Sequence, residues 1–439
     1  MSSPESNSNA SAADATVYRR ELIRPTPWRR LKWRLETAGY VVMEALLGIV
    51  PLPVVTGVGR LAGAAAWYLL PKRRRVVARN LRIAFAGERT PEELRALTKE
   101  VFRRSGANLL GSLRTANMGD RGLSRALTVR DEVVFREAVA RGKGVVVVIA
   151  HMGNWEALAQ WFPKLLPPGV PGATVYRPLN NPIMNARVVA ARARRGVGLF
   201  SKDDNPLGMA AFMRRGGALG VLADQRAGKI GELVPFFGRL TSCTPIPAIL
   251  ARRTGAAIVG VSLRTVGSGR WEMSFHAMEP GEPTTGGVMR LLERMMRVSP
   301  SDVFWLQDRW KIRRHQPHLL PGKPARGEDT RPTKRRRALV WIDGADGIPA
   351  LPKATPDDVD YAIVLADAAT EPKVAMDTGW EVHRFTGGSY ERFLRQIDEA
   401  SEQPLEYVVV ARPSPKALRK AAKSLGLGWV ETKRVGAWK

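Results

Sequence analysis

A long apolar tract lies near the start of the chain. Residues 37–71 are apolar or small apart from the charged Glu44 and Arg60, and the sequence PLPVVTG at 51–57 interrupts them. Neither half of the tract reaches the roughly 20 residues that a clean transmembrane helix requires. The tract therefore predicts a hairpin or a tilted helix that lies in a membrane interface. A pair of buried core helices and a single membrane span are the alternatives.

An alternation of helical and strand-like patterns follows this tract. Apolar positions recur at helical spacing over residues 90–118, which begin with Thr-Pro, a typical helix start. From residue 144 onward, short β-branched or apolar runs alternate with helical stretches. The predicted strands are 144–150, 173–178, 218–224 and 256–264, and the predicted helices are 181–196, 244–255 and 286–305. The alternation predicts an α/β fold with a largely parallel sheet covered by helices.

The same alternation returns on a smaller scale near the C-terminal end. Residues 317–336 are rich in basic residues, proline and glycine, and therefore predict a linker. Beyond it, strands are predicted at 337–343, 360–367, 380–385 and 407–413, and helices at 389–402 and 415–425. These elements predict a small α/β domain at 337–439. It contains no Gly-rich phosphate loop and no recognisable catalytic cluster.

The charge of the chain changes which partners are expected. The formal net charge is +28 and the isoelectric point is near 11.0, so the surface attracts anionic lipid, nucleic acid or an acidic protein. Basic residues flank the apolar tract on both sides, in residues 19–34 and in PKRRRVVARNLR (71–82). This arrangement favours attachment to an anionic membrane surface. No nucleic-acid-binding motif accompanies the charge, so nucleic acid is not an expected partner.

The candidate chemistry lies in GVVVVIAHMGNWEALAQWF, residues 144–162. His151 follows a buried strand, and Glu156 falls where a helix begins, an H-x4-E spacing. On a continuous helix, five residues turn the chain by about 140°, so the two side chains would point apart. Gly153 and Asn154 permit a non-helical turn instead, with Asn154 as N-cap of the helix. Such a turn could bring the carboxylate to the imidazole.

A histidine with a carboxylate partner can act as a general base. The carboxylate fixes the imidazole tautomer and stabilises the imidazolium that forms when His151 removes a proton from a hydroxyl. The motif contains no nucleophilic serine or cysteine, which favours direct transfer to an acceptor hydroxyl over a covalent intermediate. The alternative is a polar cap on an ordinary strand–helix junction. The single cysteine, Cys243, excludes a disulfide framework and a Cys-rich zinc site, and no metal cluster is apparent.

Six segments carry a resemblance to a known family. They occur in the family's order and are LLPKRRRVVARNLRIAF, AHMGNWE, YRPLNNP (176–182), LADQRAG (222–228), VPFFGRLTS (234–242) and RTGAAIVGV (253–261). Residues 38 to 316 resemble the late acyltransferases of lipid A biosynthesis, the lauroyl/myristoyl acyltransferases of the lysophospholipid acyltransferase superfamily. The resemblance implies a glycerolipid-acyltransferase-like mixed sheet flanked by helices, and it makes His151 and Glu156 the catalytic dyad.

Further residues are candidates for binding substrate. By resemblance, Arg177 lies beside the dyad, and its guanidinium suits a phosphate of donor or acceptor. The other candidates are near strand ends or in the quoted segments: Asn154, Asp224, Gln225, Arg226, Phe237 and Gly238. Phe237 and Gly238 are expected to shape an acyl groove. A solvated arginine, an ordinary strand-end turn and plain core packing are the structural alternatives for these residues.

The resemblance also implies substrates and a location. The family's donors are thioesters of acyl carrier protein or coenzyme A, which act as co-substrates, so no cofactor or metal is expected. The expected acceptor is a hydroxyl of a lipid A precursor at the cytoplasmic face of the bacterial inner membrane. The C-terminal domain and basic linker depart from the family, so another membrane acceptor (a phospholipid, glycolipid or aminolipid) is the alternative. A degenerate family member retained as a scaffold is a further rival.

These interpretations divide the chain into successive parts. The predicted parts are a disordered and basic N-terminal segment at 1–36, a membrane-associating helical segment at 37–82, an acyltransferase catalytic domain at 83–316, the linker at 317–336 and the small α/β domain at 337–439.

Overall fold

The computed structural model describes residues 25–116, 118–313, 316–325, 327, 330–343, 348–352, 358–366 and 380–435. They divide into two compact units. The first lies within Met1–Ala62, Ser105–Leu222 and Ile249–Met278, and the second within Gly63–Arg104, Ala223–Ala248 and Glu279–Lys439. The predicted disordered tail and the basic residues before position 25 lie outside the described residues.

The first unit is built on a seven-stranded mixed sheet. Its strands are β1 (Leu127–Arg130), β2 (Val145–Ile149), β3 (Gly172–Tyr176), β4 (Val197–Ser201), β5 (Ala218–Leu222), β8 (Ala257–Gly267) and β9 (Arg270–Ala277). The strand order is β1-β9-β8-β2-β5-β3-β4, and only the β8–β9 pair is antiparallel among these neighbours. The largely parallel sheet predicted from the alternating pattern is therefore confirmed, and β2 lies at its centre.

Helices cover this sheet and bury its apolar side chains. Between residues 120 and 254, the helices of the first unit are α5 (Asp120–Ala126), α6 (Glu132–Ala140), α7 (Trp155–Leu165), α8 (Pro182–Ala193), α9 (Pro206–Arg214) and α10 (Ile246–Thr254), the last only in part. Phe135 of α6 and Phe162 of α7 join one buried cluster with Val145 and Val147 of β2. Such burial of aromatic and β-branched side chains stabilises the sheet, so β2 and the residues that follow it have a rigid base.

The apolar tract folds into two N-terminal helices. They are α1 (Pro27–Ile49) and α2 (Leu52–Leu69), and they separate at Val50 and Pro51. A break in the tract is therefore present, but it is shorter than the predicted interruption at 51–57, because residues 52–57 are helical. Thr26 caps α1 by accepting a hydrogen bond from the Arg29 N–H, and Pro27 fits the first helical position. The helix therefore begins inside the range 1–36 that was assigned to a disordered, basic segment. Among the described helices, none is both long and apolar enough to cross a membrane.

The second unit contains α3 (Pro71–Phe85), α11 (Thr285–Val298) and a small sheet. That sheet holds an antiparallel hairpin of β6 (Glu232–Phe236) and β7 (Arg239–Cys243), with the short strand β10 (Lys323–Pro324) beside β6. The helix α4 (Pro91–Thr115) contributes residues to both units. The predicted helix at 90–118 is thus confirmed, whereas the hairpin was not predicted.

A five-stranded parallel sheet lies in the C-terminal part of the second unit. Its order is β14-β13-β11-β15-β16, and its helices are α12 (Tyr390–Glu399) and α13 (Lys416–Leu425). The strands are β11 (Arg336–Asp343), β13 (Val359–Ala366), β14 (Val382–Phe385), β15 (Leu405–Ala411) and β16 (Gly428–Thr432). A two-stranded pair, β12 (Ile348–Pro349) and β17 (Arg434–Val435), accompanies them. The predicted α/β pattern of this region is confirmed, and its status as a separate domain stays a prediction.

Candidate active site

A tight turn joins β2 to α7 and carries the H-x4-E motif. His151 follows the strand directly after Ala150, and Gly153 has a positive φ of 55°, which favours glycine. A Cβ atom at Gly153 would lie 2.8 Å from Leu263 Cβ and 2.9 Å from the Leu263 carbonyl oxygen on β8. The turn can therefore run this close to β8 only because residue 153 has no side chain.

Asn154 holds the start of α7 in place. Its side-chain oxygen accepts hydrogen bonds from the Ala157 N–H at 3.1 Å and the Ser112 hydroxyl at 3.0 Å. Its amide group donates to the Thr115 hydroxyl at 3.1 Å, and the residue is fully buried. The predicted N-cap is confirmed, and the cap is fastened to α4 as well as to α7. The part of Asn154 in binding substrate stays a prediction.

Glu156 is paired with a cation from another helix. Arg192 Nη2, on α8, donates to Glu156 Oε2 at 3.1 Å. The His151 ring packs edge-on against Trp155, with 5.2 Å between the ring centroids. Both His151 and Glu156 are partly exposed, so reactants can reach the turn. Arg192 of α8 thus holds the Glu156 carboxylate in place. The catalytic pairing of Glu156 with His151 stays a prediction.

The helix α8 is in turn held by α1. Glu44, a buried carboxylate on α1, accepts a hydrogen bond from Arg187 of α8. The Tyr40 hydroxyl is hydrogen-bonded to Glu44, and burial followed by the negative charge of Glu44 raises the pKa of Tyr40 above its ordinary value. Asn181 caps α8 and also donates to the Trp33 carbonyl oxygen at 3.0 Å. The polar side of α1 therefore faces α8.

Arg177 lies at the same edge of the sheet as His151. It directly follows β3, whose carboxyl end points the same way as that of β2 because all three strands β2, β5 and β3 run parallel. Its side chain is exposed. Ligands of parallel sheets bind outside the carboxyl ends of the strands. The location of Arg177 suits a phosphate-binding role, which stays a prediction.

The remaining candidates belong to the second unit. Asp224 and Gln225 follow β5 in the chain, Asp224 buried and Gln225 exposed, and Arg226 is half-buried. Arg226 donates to the Lys311 carbonyl oxygen at 3.1 Å. The pKa of Arg226 lies below its ordinary value because burial disfavours the charged guanidinium. Their parts in binding substrate stay predictions.

Phe237 and Gly238 form the two-residue turn of the β6–β7 hairpin. Both have positive φ, 51° and 77°, as a type I′ turn requires, although phenylalanine rarely adopts this conformation. The Phe237 N–H donates to Glu293 of α11, and its ring is buried against Phe85 and Trp305. These contacts explain how the strained turn persists. The Phe237 ring is therefore part of an aromatic core. Its part in an acyl groove stays a prediction.

Several residues around the motif were not predicted from the sequence. Arg192, Arg187 and Tyr40 lie far from His151 in the chain, and no local pattern connects them. The buried Glu44 was the one available signal, since an isolated carboxylate in an apolar tract usually has a partner. In the part of the chain that the structure describes, no group of three or more His, Cys, Asp or Glu side chains could hold a metal ion.

Comparison with known proteins identifies relatives of this chain. The family model for bacterial lipid A biosynthesis acyltransferases matches residues 29–312. The chain is 24% identical over 301 residues to the lipid A biosynthesis lauroyltransferase of Escherichia coli K12, which covers 66% of this chain and 94% of the relative. It is also 24% identical over 304 residues to the lipid A biosynthesis palmitoleoyltransferase of the same strain and to a lipid A biosynthesis acyltransferase of Shigella flexneri, with 67% and 95% coverage.

Proposed function

The chain belongs to the bacterial lipid A biosynthesis acyltransferase family, and from this premise we propose that it moves a fatty acyl chain from an acyl thioester to a hydroxyl of a lipid A precursor. The observation that carries the proposal is the location of His151. It follows the central strand of the sheet, at the turn into α7, within the matched region. The relatives whose names describe lauroyl and palmitoleoyl transfer are matched over nearly their whole length.

The proposed reaction starts with proton removal by His151. Its imidazole takes the proton of the acceptor hydroxyl, and the hydroxyl oxygen attacks the carbonyl carbon of the thioester. The N–H groups at the start of α7 stabilise the oxyanion that forms, because the helix N-terminus is partially positive. The carbon–sulfur bond then breaks, and the imidazolium returns the proton to the leaving thiolate. The products are an ester and a free thiol.

Glu156 has a supporting part in this proposal. Its carboxylate orients the imidazole and stabilises the imidazolium. One carboxylate oxygen, Oε2, accepts a hydrogen bond from Arg192, so the proposal assigns the other oxygen to the histidine in the reacting complex. Asn154 and Gly153 support the shape of the turn. The Asn154 side chain caps α7, and the absence of a side chain at Gly153 lets the turn approach β8.

We also propose that α1 holds the enzyme on a membrane. Its face toward α8 carries polar residues, whereas large apolar side chains on another face are exposed. These exposed side chains recur at helical spacing and are Trp28, Leu31, Leu35, Val42, Leu46 and Ile49. Exposed apolar surface of this size usually marks an interaction site, and neighbouring Arg29, Arg30 and Lys32 favour anionic lipid. The location proposed is the cytoplasmic face of the bacterial inner membrane, where acyl carrier protein or coenzyme A thioesters are the donors.

A second candidate differs only in the acceptor. The five-stranded sheet of residues 336–432 lies beyond residue 312, where the family match ends. An additional α/β region can add a recognition surface, which favours a phospholipid, glycolipid or aminolipid acceptor as the alternative.

Mass spectrometry of cellular lipids tests the proposed function. A host that lacks its own late lipid A acyltransferases would produce either the wild type or His151→Ala, and lipid A and total phospholipids would be extracted. A lipid A species heavier by one acyl group, present only with the wild type, is the expected result. The same mass increase on another lipid would favour the second candidate. Identical extracts, with both proteins folded and membrane-bound, would contradict the proposal.

A further inference from the structure

A pocket in the second unit is lined by many basic side chains. Its wall comes from β7, the start of β11, β15 and the segment around residues 310–321. Among the described residues, the basic side chains that line it are Arg226, Arg239, Lys311, Arg313 and Arg336, and the one acidic lining residue is Glu406. We call this the basic pocket. Apart from Arg226, which stays a candidate for binding substrate, these side chains have no part in the proposed acyl transfer, so the pocket needs a separate explanation.

Part of this charge is balanced by buried ion pairs. Arg239 Nη2 lies 3.1 Å from Glu406 Oε1, and Arg79 Nη2 lies 2.7 Å from the same oxygen. Arg336 pairs with Asp358 at 2.6 Å. Except for Arg79, which is half-buried, these groups are almost entirely buried, where an unpaired charge would be very costly. The deeper part of the basic pocket is therefore an ionic network that fixes its shape.

Positive charge remains in excess beside this network. Arg226, Lys311 and Arg313 line the basic pocket, and within the described ranges none of the three has an acidic side chain within 4.0 Å. Arg226 is held in place by its hydrogen bond to the Lys311 carbonyl oxygen. Burial lowers the pKa of Arg226, the negative charge of Asp308 opposes this shift, and the positive charges of Arg309 and Arg313 add to it. A bound anion would relieve this repulsion.

Buried donors without acceptors are a second, independent observation. Arg239 Nε and Trp310 Nε1 belong to residues that line the basic pocket, and neither N–H has a hydrogen-bond acceptor in the described structure. Arg239 is fully buried and Trp310 nearly so. A buried unsatisfied donor costs about 1–3 kcal/mol, so native proteins seldom retain one without a ligand, an ion or water. These N–H groups add positive electrostatic potential next to the basic pocket, which favours an anion there.

We propose that the basic pocket binds a phosphate group carried by a phosphoester. The guanidinium groups of Arg226 and Arg313 present paired donors that match phosphate oxygens, and Lys311 adds a further charge. Three unpaired cations match the double negative charge of a phosphate better than the single charge of a carboxylate. A soluble phosphoester and a lipid headgroup offer the same chemistry, and the pocket accepts either source. This proposal is independent of the acyl-transfer reaction, because it concerns binding alone.

Calorimetric titration and vesicle binding of the full chain test the proposal. Inorganic pyrophosphate serves as the soluble probe, and phosphatidylcholine vesicles with or without phosphatidic acid serve as the lipid probe. The test variant is Lys311→Gln with Arg313→Gln. The matched control is Lys420→Gln with Lys423→Gln, which removes the same charge from exposed positions of α13. Thermal unfolding without probe checks that each variant is folded, and Arg226→Gln replaces the test variant if it is not.

The proposal predicts a selective loss of affinity. The wild type binds pyrophosphate or prefers vesicles that contain phosphatidic acid, and the test variant loses this affinity by about tenfold or more, since hydrogen bonds to charged groups contribute on that scale. The control variant keeps the affinity of the wild type. Loss in the pyrophosphate titration alone identifies a soluble phosphoester, and loss in the vesicle assay alone identifies a lipid headgroup. Equal loss in both variants, or no binding of either probe by the wild type, would overturn the proposal.

Discussion

Arg192 Nη2 donates a hydrogen bond to Glu156 Oε2 across 3.1 Å and so connects α8 to the first turn of α7. The same helix α8 binds α1 through Arg187 and the buried Glu44. A continuous set of contacts therefore runs from the helix with the exposed apolar face to the carboxylate of the H-x4-E motif. In the proposed mechanism, these contacts position Glu156 while α1 lies at the membrane surface.

The first prediction concerns Arg192 as a positioning residue. Arg192→Gln removes the cation that holds Glu156, so kcat should fall by about tenfold or more while KM changes little, because small misplacements of catalytic groups reduce turnover. Arg192→Lys should recover part of the loss, since lysine keeps the positive charge but lacks the planar guanidinium with its paired N–H donors. Arg194→Gln, at the exposed end of the same helix, is the matched control. Steady-state kinetics on both variants make the comparison, and an unchanged kcat in Arg192→Gln would show that the ion pair has no catalytic part.

The second prediction concerns the exposed face of α1. Leu35→Gln with Leu46→Gln should weaken binding to anionic vesicles at least about tenfold, because each leucine contributes about 1.5–3 kcal/mol when it is fully buried in an apolar phase. Val133→Gln with Leu207→Gln changes two similarly exposed apolar residues on α6 and α9 and should leave binding unchanged. Vesicle sedimentation measures both. If the two double variants sediment like the wild type, α1 is not the membrane anchor.

The third prediction separates two reasons for glycine at position 153. Gly153 and Gly142 both have positive φ, at 55° and 68°, but only Gly153 lies against another strand, whereas open space surrounds the position of a Cβ at Gly142. Gly142→Ala should lower the free energy of unfolding by about 1–2 kcal/mol from backbone strain. Gly153→Ala should cost more, by about a further 1–3 kcal/mol from the contact with Leu263, and should also reduce turnover. Chemical denaturation gives both values, and equal costs would contradict the packing argument.

The fourth prediction concerns Glu293, which accepts the Phe237 N–H. Burial raises its pKa above the ordinary value of 4.5, so the folded protein holds this proton more tightly than the unfolded chain. The contribution of Glu293 to stability is therefore greatest at low pH and declines as the pH rises from about 4.5 through the raised folded value. Glu293→Gln keeps an acceptor and should remove this decline.

A second variant at this position tests the hydrogen bond. Glu293→Leu leaves the Phe237 N–H without an acceptor and should lower the free energy of unfolding by about 1–3 kcal/mol. Denaturation curves at several pH values distinguish the two variants. If Glu293→Leu is as stable as Glu293→Gln, the strained turn does not depend on the hydrogen bond from the Phe237 N–H to residue 293.

The sequence predicts the central strands of the first sheet but not all of its strands. The strands β2, β3, β5 and β8 are short β-branched runs between helical stretches, and their local pattern is sufficient to find them. The strands β1, β4 and β9 were missed, although Trp271, Met273 and Phe275 alternate along β9 and are buried. The turn at Phe237 could not be predicted, because its positive φ depends on packing and on a distant acceptor, Glu293.

The candidate site was only partly predictable for the same reason. His151, Asn154 and Glu156 are neighbours in the chain, so their turn follows from local sequence. Arg192 acts on Glu156 from another helix, and such a pair is decided by tertiary packing. Likewise, the apolar residues of α1 are visible in the sequence, but which face of the helix contacts α8 depends on the pairing of Glu44 with Arg187.

We propose His151 as the general base of acyl transfer, and turnover of the purified enzyme tests this role. Transfer of a labelled acyl group from acyl carrier protein to a lipid A precursor would be followed with the wild type and with His151→Ala, both bound to anionic vesicles. We expect His151→Ala to lose about 100-fold to 10,000-fold in kcat, because general base catalysis contributes on that scale. Its vesicle binding and its unfolding midpoint should stay unchanged. A folded, membrane-bound His151→Ala enzyme that turns over like the wild type would contradict this role.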